Sequence, residues 1–195
     1  MANTYLLSDE AKRYLCCYYQ ILDGMIQGVS AARLTQSISH NCIVQLLPQR
    51  RAAVRLCRNL LDASNDGAVR RLAQRAAARE AEAVEALEAE LPDADQLTSP
   101  QMDLRLFQRR SELISRGMYA QMGAVPEGNQ VEVLFLRQMI PHRQGGLRAA
   151  RTALRYEVSV GLAPLLRSAI DAQSREVGQM RALLNRRGCQ SCQST

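Results

Sequence analysis

Gln138-Met139-Ile140-Pro141-His142-Arg143 and Gln45-Leu46-Leu47-Pro48-Gln49-Arg50 are two copies of one pattern, 93 residues apart. At the same offset and without a gap, Arg55 meets Arg148, Arg58 meets Arg151 and Leu61 meets Leu154. Upstream, Gly24-Met25 meets Gly117-Met118; downstream, Leu72 meets Leu165 and Val84 meets Val177. One offset shared by three separated segments implies a duplicated unit, at roughly 8–92 and 100–186, and self-similarity constrains architecture more than any local signal. A linker is expected around Pro92-Asp93-Ala94-Asp95.

Each unit reads as three helices. The first begins after Ser8, an N-cap followed by acidic Asp9 and Glu10, with Tyr14, Tyr18, Ile21, Leu22 and Met25 as its apolar stripe and Gly28 as its stop. Its counterpart begins at Ser99-Pro100, a cap followed by proline at the first helical position, with Leu104, Phe107, Ile114 and Met118 on the stripe. In the second helices the stripes run straight through Pro48 and Pro141: Ile43, Leu46, Leu47, Val54, Cys57 and Leu61; Leu134, Met139, Ile140, Leu147, Ala150 and Leu154. A mid-helix proline removes one amide donor and is expected to kink the rod. The third helices are expected from about Ala68 to Glu90 and from about Leu162 to Arg186.

Composition agrees. Of 195 residues 47% are hydrophobic, enough for a core, while aromatics are only 4% with no Trp, which is thin for a β-sandwich. Ala, Leu, Arg, Gln and Glu, the strong helix formers, dominate. The fold class expected is all-α. The domains expected are a first unit at 1–95, a second at 96–186, packed together as one globule, and a flexible cysteine-containing tail at 187–195.

The charge is +6, and Lys12 is the single lysine among 25 basic residues. The arginines lie along every helix, with short pairs such as Arg50-Arg51 and Arg186-Arg187, and no aromatic-interleaved stripe suited to nucleic acid. They read as solvated helix faces, and nucleic acid is not an expected partner. Asp9 and Glu10 interrupt the start before a signal-peptide core could form, and no run reaches a membrane span, so a cytoplasmic protein with free thiols is expected.

Phe135-Leu136-Arg137-Gln138-Met139-Ile140-Pro141-His142-Arg143-Gln144-Gly145 resembles the M-I-P-H-H-Q-G signature of the bacterial domain of unknown function 305 family. The helix Ile170–Arg181, with Gln173, Glu176 and Met180, is similar to that family's Q-x-x-E-I-x-x-M-R helix. The resemblance covers residues 131–184 well, with the first unit a fainter, degenerate copy. It implies a ferritin-like helical bundle. Some members bind copper through the His pair and nearby methionines. Here the second His of the pair is Arg143; in the first unit both His positions are lost, to Gln49 and Arg50, and Leu46 and Leu87 replace the methionines.

The candidate metal ligands are Met139 and His142 on one helix face, and Gln173, Glu176 and Met180 on the next helix. Thioether and imidazole suit Cu(I), with Glu or Gln orienting the ring. Copper is the expected cofactor on that reading. The competing reading makes Met139 and Met180 core fillers. His142 is then a buried histidine satisfying the carbonyl of Arg137, which Pro141 leaves without its donor. No Glu stands three before either histidine, which excludes a di-iron bundle site. His40 reads as an ordinary histidine. Cys189-Gln190-Ser191-Cys192 supplies half of a tetrahedral soft-metal site or a reversible disulfide. Gly145-Gly146 reads as a close helix contact, and no nucleophile elbow, phosphate loop or dinucleotide fingerprint is present. Two functions follow: a non-catalytic bundle that binds copper weakly, or a structural or interaction scaffold, with a homodimer face as its candidate working surface, whose metal site has decayed.

Overall fold

The computed structural model describes residues 7–192, with side chains as far as 187. It is all-helical: α1 (Asp9–Ser30), α2 (Ile38–Ala63), α3 (Gly67–Gln96), α4 (Gln101–Gly123), α5 (Val131–Ala153) and α6 (Leu162–Cys192). Each helix packs chiefly on its chain neighbour, α1 on α2 and α2 on α3, then α4 on α5 and α5 on α6. The two trios meet mainly where α2 crosses α5 and where α3 lies along α6.

The helix starts follow from capping, with one exchange of partners. Ser8 Oγ accepts from Ala11 N at 3.2 Å, as its sequence position implies. Ser99 does not cap α4. Its Oγ accepts instead from Ile38 N at 3.1 Å, so it closes the start of α2, and its own amide donates to Gln36 O. The expected linker is also displaced. α3 continues through Pro92 to Gln96, and the connection is the short Leu97–Pro100 stretch. Ala94, expected in the linker, is buried against the N-terminal half of α2 and gives its carbonyl to Ser37 Oγ. α1 runs past Gly28, whose missing Cβ would lie 2.9 Å from Pro48 Cβ; the glycine there lets α1 close on α2. α6 likewise continues through residues 187–192, assigned from sequence to a tail.

The apolar stripes bury as their spacing implies, but they form two cores, one above the other. The first joins α1 to the C-terminal half of α2 and the N-terminal halves of α3 and α5, with Tyr14, Tyr18, Leu56, Met118, Phe135, Met139 and Met180 among its members. The second joins the N-terminal half of α2 to the far half of α3 and the start of α6, around Ile38, Ile43, Leu87, Phe107 and Leu162. Between the cores lies a layer of buried polar side chains.

Candidate functional site

Four helices supply this layer, each at mid-length. α2 brings Gln49 and Arg50 immediately after Pro48, and α5 brings His142 and Arg143 immediately after Pro141. α3 contributes Glu80, and α6 contributes Gln173 and Glu176, three residues apart and so on one face. All seven are buried.

The charged members alternate in sign. Arg50 Nη1 lies 3.0 Å from both oxygens of Glu80. Arg143 Nη1 donates to Glu80 Oε1, and Arg143 Nε lies 2.7 Å from Glu176 Oε2. Arg79, from the edge of α3, closes the chain on Glu176 Oε1, with its Nε at 3.1 Å and a second contact through Nη2. Arg143 is the central member, with 0% of its side chain exposed against 4% for each carboxylate. A charge so far from water persists only when paired and hydrogen-bonded. Burial alone would raise the Glu80 carboxyl, but Arg143 and Arg50 overturn it and hold the group down to about 2. Burial would equally discharge Arg143, and Glu80 and Glu176 keep its affinity for the proton above the ordinary value.

His142 sits beside this chain and is neutral. Burial, reinforced by the Arg143 charge, pushes its imidazole down to about 4. A carbonyl can only accept, so Nε2 carries the proton and donates to Gln49 O at 3.2 Å. The expected partner, the carbonyl of Arg137, is not the one used: α5 meets α2 at this level, and Gln49 presents its carbonyl across the crossing. His142 Nδ1 is buried without a hydrogen-bond partner.

The sequence-selected residues therefore divide between two environments. Met139 and Met180 are packed in the first apolar core with Phe135 and Met122. His142, Gln173 and Glu176 belong to the polar layer, where Glu176 is engaged by two arginines and does not orient the imidazole. Gln173 lays its amide on Gly146: a Cβ there would lie 2.8 Å from Oε1. Gly145 is covered by the Met118 side chain in the same way. Among the described residues, no three His, Cys, Asp or Glu are placed to share a metal ion. The side chains of Cys189 and Cys192 lie outside the described residues. His40 joins Arg33 O and Asp95, tying the α1–α2 loop to the end of α3.

The chain matches the domain of unknown function (DUF305) family over residues 40–184, a span that includes five of the six helices at least in part. It belongs to that family. A solved structure, a DUF305 fragment from Deinococcus radiodurans, is similar to it with a TM-score of 0.56 and 24% identity, over 76% of this chain and 96% of that one. That likeness bears on the fold. No curated protein matches.

Within this DUF305 chain, the position of the second signature His holds Arg143, and its guanidinium lies between two carboxylates. The carboxylate that receives both Arg50 and Arg143, Glu80, was not selected from the sequence. Its signal was available. Leu72, Ala73, Ala76, Glu80 and Leu87 fall on one buried stripe of α3, and an acidic residue on an apolar stripe requires a buried cation. Reading every arginine as a solvated face concealed that cation, for Arg50 and Arg143 are on the buried faces of α2 and α5. Among the described residues no helix is long and apolar enough to cross a membrane.

Proposed function

We propose that this DUF305 protein is a non-catalytic helical scaffold in which a fixed guanidinium, Arg143, has replaced metal binding at the family's His position. One observation carries the reading: Arg143 is wholly buried between Glu80 and Glu176. The donor set does not fit a copper ion. Glu176 is neutralised by Arg143 and Arg79, and a cation at His142 would be repelled by Arg143 and Arg50, which Glu80 only partly offsets. Buried salt-bridge layers of this kind fix which helix faces meet which, at a cost in stability relative to an apolar core. Such a protein works through its surface, in the cytoplasm and without a cofactor.

The test is an anaerobic titration of the reduced protein with Cu(I) against a competing chelator, beside His142→Ala and a chain ending at Gly188. No stoichiometric uptake by any of the three is expected. Tight binding lost with His142 would overturn the proposal. Binding lost only with the residues after Gly188 would move metal handling to Cys189 and Cys192.

A second reading, soft-metal binding through Met139, His142 and Met180, draws on the unpartnered Nδ1 of His142. The titration separates it from the first.

A further inference from the structure

A cavity of about 280 Å³ opens between α2, α3 and α6 and ends on the polar layer. Its inner end carries Arg50, Glu80, Gln173 and Glu176, all buried, with Arg79 at the side. Its walls are apolar, chiefly Leu46, Leu87, Leu165, Leu166 and several alanines, and its mouth is marked by the exposed Glu82 and Ser168. An apolar chamber with a few convergent polar groups is the common form of a small-molecule site.

The inner end is short of acceptors. Three guanidiniums, Arg50, Arg79 and Arg143, share two carboxylates, Glu80 and Glu176. Arg50 Nε, on the cavity lining, is buried with no hydrogen-bond partner, and Arg79 commits only Nε and Nη2 to Glu176, whose Oε2 is left facing Arg143 Nε at 2.7 Å. The buried layer is itself balanced, two guanidiniums against two carboxylates; the charge in excess is that of Arg79 at the side of the cavity, 42% exposed, while Glu82 at the mouth is in water. Gln173 Oε1 also lacks a partner. Turning that amide over would present its NH₂ to an incoming anion. At about 280 Å³ the chamber lies at the small end of ligand pockets, so a short apolar chain suits it better than a bulky ring system.

We propose that this cavity binds a small amphipathic monoanion, a free straight-chain monocarboxylate of medium length. The carboxylate lies against Arg50 and Arg79 and the alkyl chain against Leu46, Leu87, Leu165 and Leu166. This goes beyond the scaffold reading, and copper titration has no bearing on it.

Calorimetric titration of the full chain with butanoate, hexanoate, octanoate and octan-1-ol tests the proposal. Octanoate is expected to bind at one site, with affinity rising about fourfold per added methylene along the series. Octan-1-ol is expected to bind at least about tenfold more weakly, for want of a charge-assisted hydrogen bond. Arg79→Gln is expected to lose about tenfold for octanoate and nothing for octan-1-ol, while Arg79→Lys keeps most of the affinity. Ala169→Phe, filling the chamber, should remove both ligands with helicity by circular dichroism unchanged. No octanoate binding to the folded chain, equal affinity for acid and alcohol, or an Arg79→Gln variant that binds octanoate undiminished would each overturn it.

Discussion

His142 donates its Nε2–H to the carbonyl of Gln49, the residue 93 positions earlier in the chain. That separation equals the repeat offset, so the two partners are each other's counterparts in the aligned sequence. Two units related by a two-fold axis bring equivalent positions together at that axis. Reading α1–α3 and α4–α6 as two versions of one unit would place that axis at the crossing of α2 and α5. Under the same offset Glu80 corresponds to Gln173, and Glu176 to Ala83, which lines the cavity. On that reading the two halves carry their buried acids one turn apart along the third helix, and the cavity lies where the first half has alanine.

The pH dependence of stability follows from His142 and Glu80. His142 is held down to about 4 in the folded chain, against an ordinary 6.5. Between those values the unfolded chain binds a proton that the native chain does not, so stability falls as pH drops from 6.5 towards 4, by about 3 kcal/mol. Glu80, depressed to about 2 from 4.5, adds a second loss as pH falls through that lower interval. Urea unfolding at pH 7, 5 and 4 should show the first loss, and His142→Asn should flatten it. An unchanged slope in the variant would assign the loss to other groups.

The glycines separate into two classes that alanine substitution should distinguish. At Gly145 and Gly146 a Cβ meets Met118 and Gln173, and at Gly28 it meets the rigid ring of Pro48. Substitution at Gly28 and Gly145 is expected to cost about 1–3 kcal/mol through overpacking, and at Gly146 less, because only the end of the Gln173 side chain has to shift. At Gly117 and Gly178, inside α4 and α6, a Cβ meets nothing within 4 Å. There alanine should stabilise by up to about 1 kcal/mol through helix propensity alone. Thermal melts of the five variants check the ordering.

Ser99→Ala should loosen α2 rather than α4, because the hydroxyl closes the first turn of α2 at Ile38 N. The expected cost is about 1 kcal/mol. Amide hydrogen exchange should speed up at the start of α2, with the first turn of α4 unaffected.

The all-helical class, the Ser8 cap and the apolar stripes of α1, α2, α4 and α5 were legible because spacing and capping are local. The Gly145-Gly146 contact was legible for a similar reason: two adjacent glycines inside a helix need a close neighbour. What escaped was set by tertiary context. Ser99 looks like the cap of its own helix, and only the fold delivers it to another. Pro92 looks like a break, yet α3 continues because Ala94 is anchored against α2. Arg143 carries no local sign of burial; it is recognised as a core residue only once Glu80 and Glu176 are known to face it from two other helices.

The Arg143–Glu80 pair is the centre of the layer, and a double-mutant cycle tests it most directly. Arg143→Met alone leaves two buried carboxylates short of their cation and is expected to cost about 3–5 kcal/mol. Glu80→Gln alone strands Arg50 and leaves Arg143 with Glu176 only, and should also be costly. Measured by urea unfolding at pH 7, the double variant should lose less than the sum of the singles by about 2–3 kcal/mol. Single losses that add to within about 0.5 kcal/mol would contradict a coupled buried pair and return Arg143 to the status of an ordinary surface arginine.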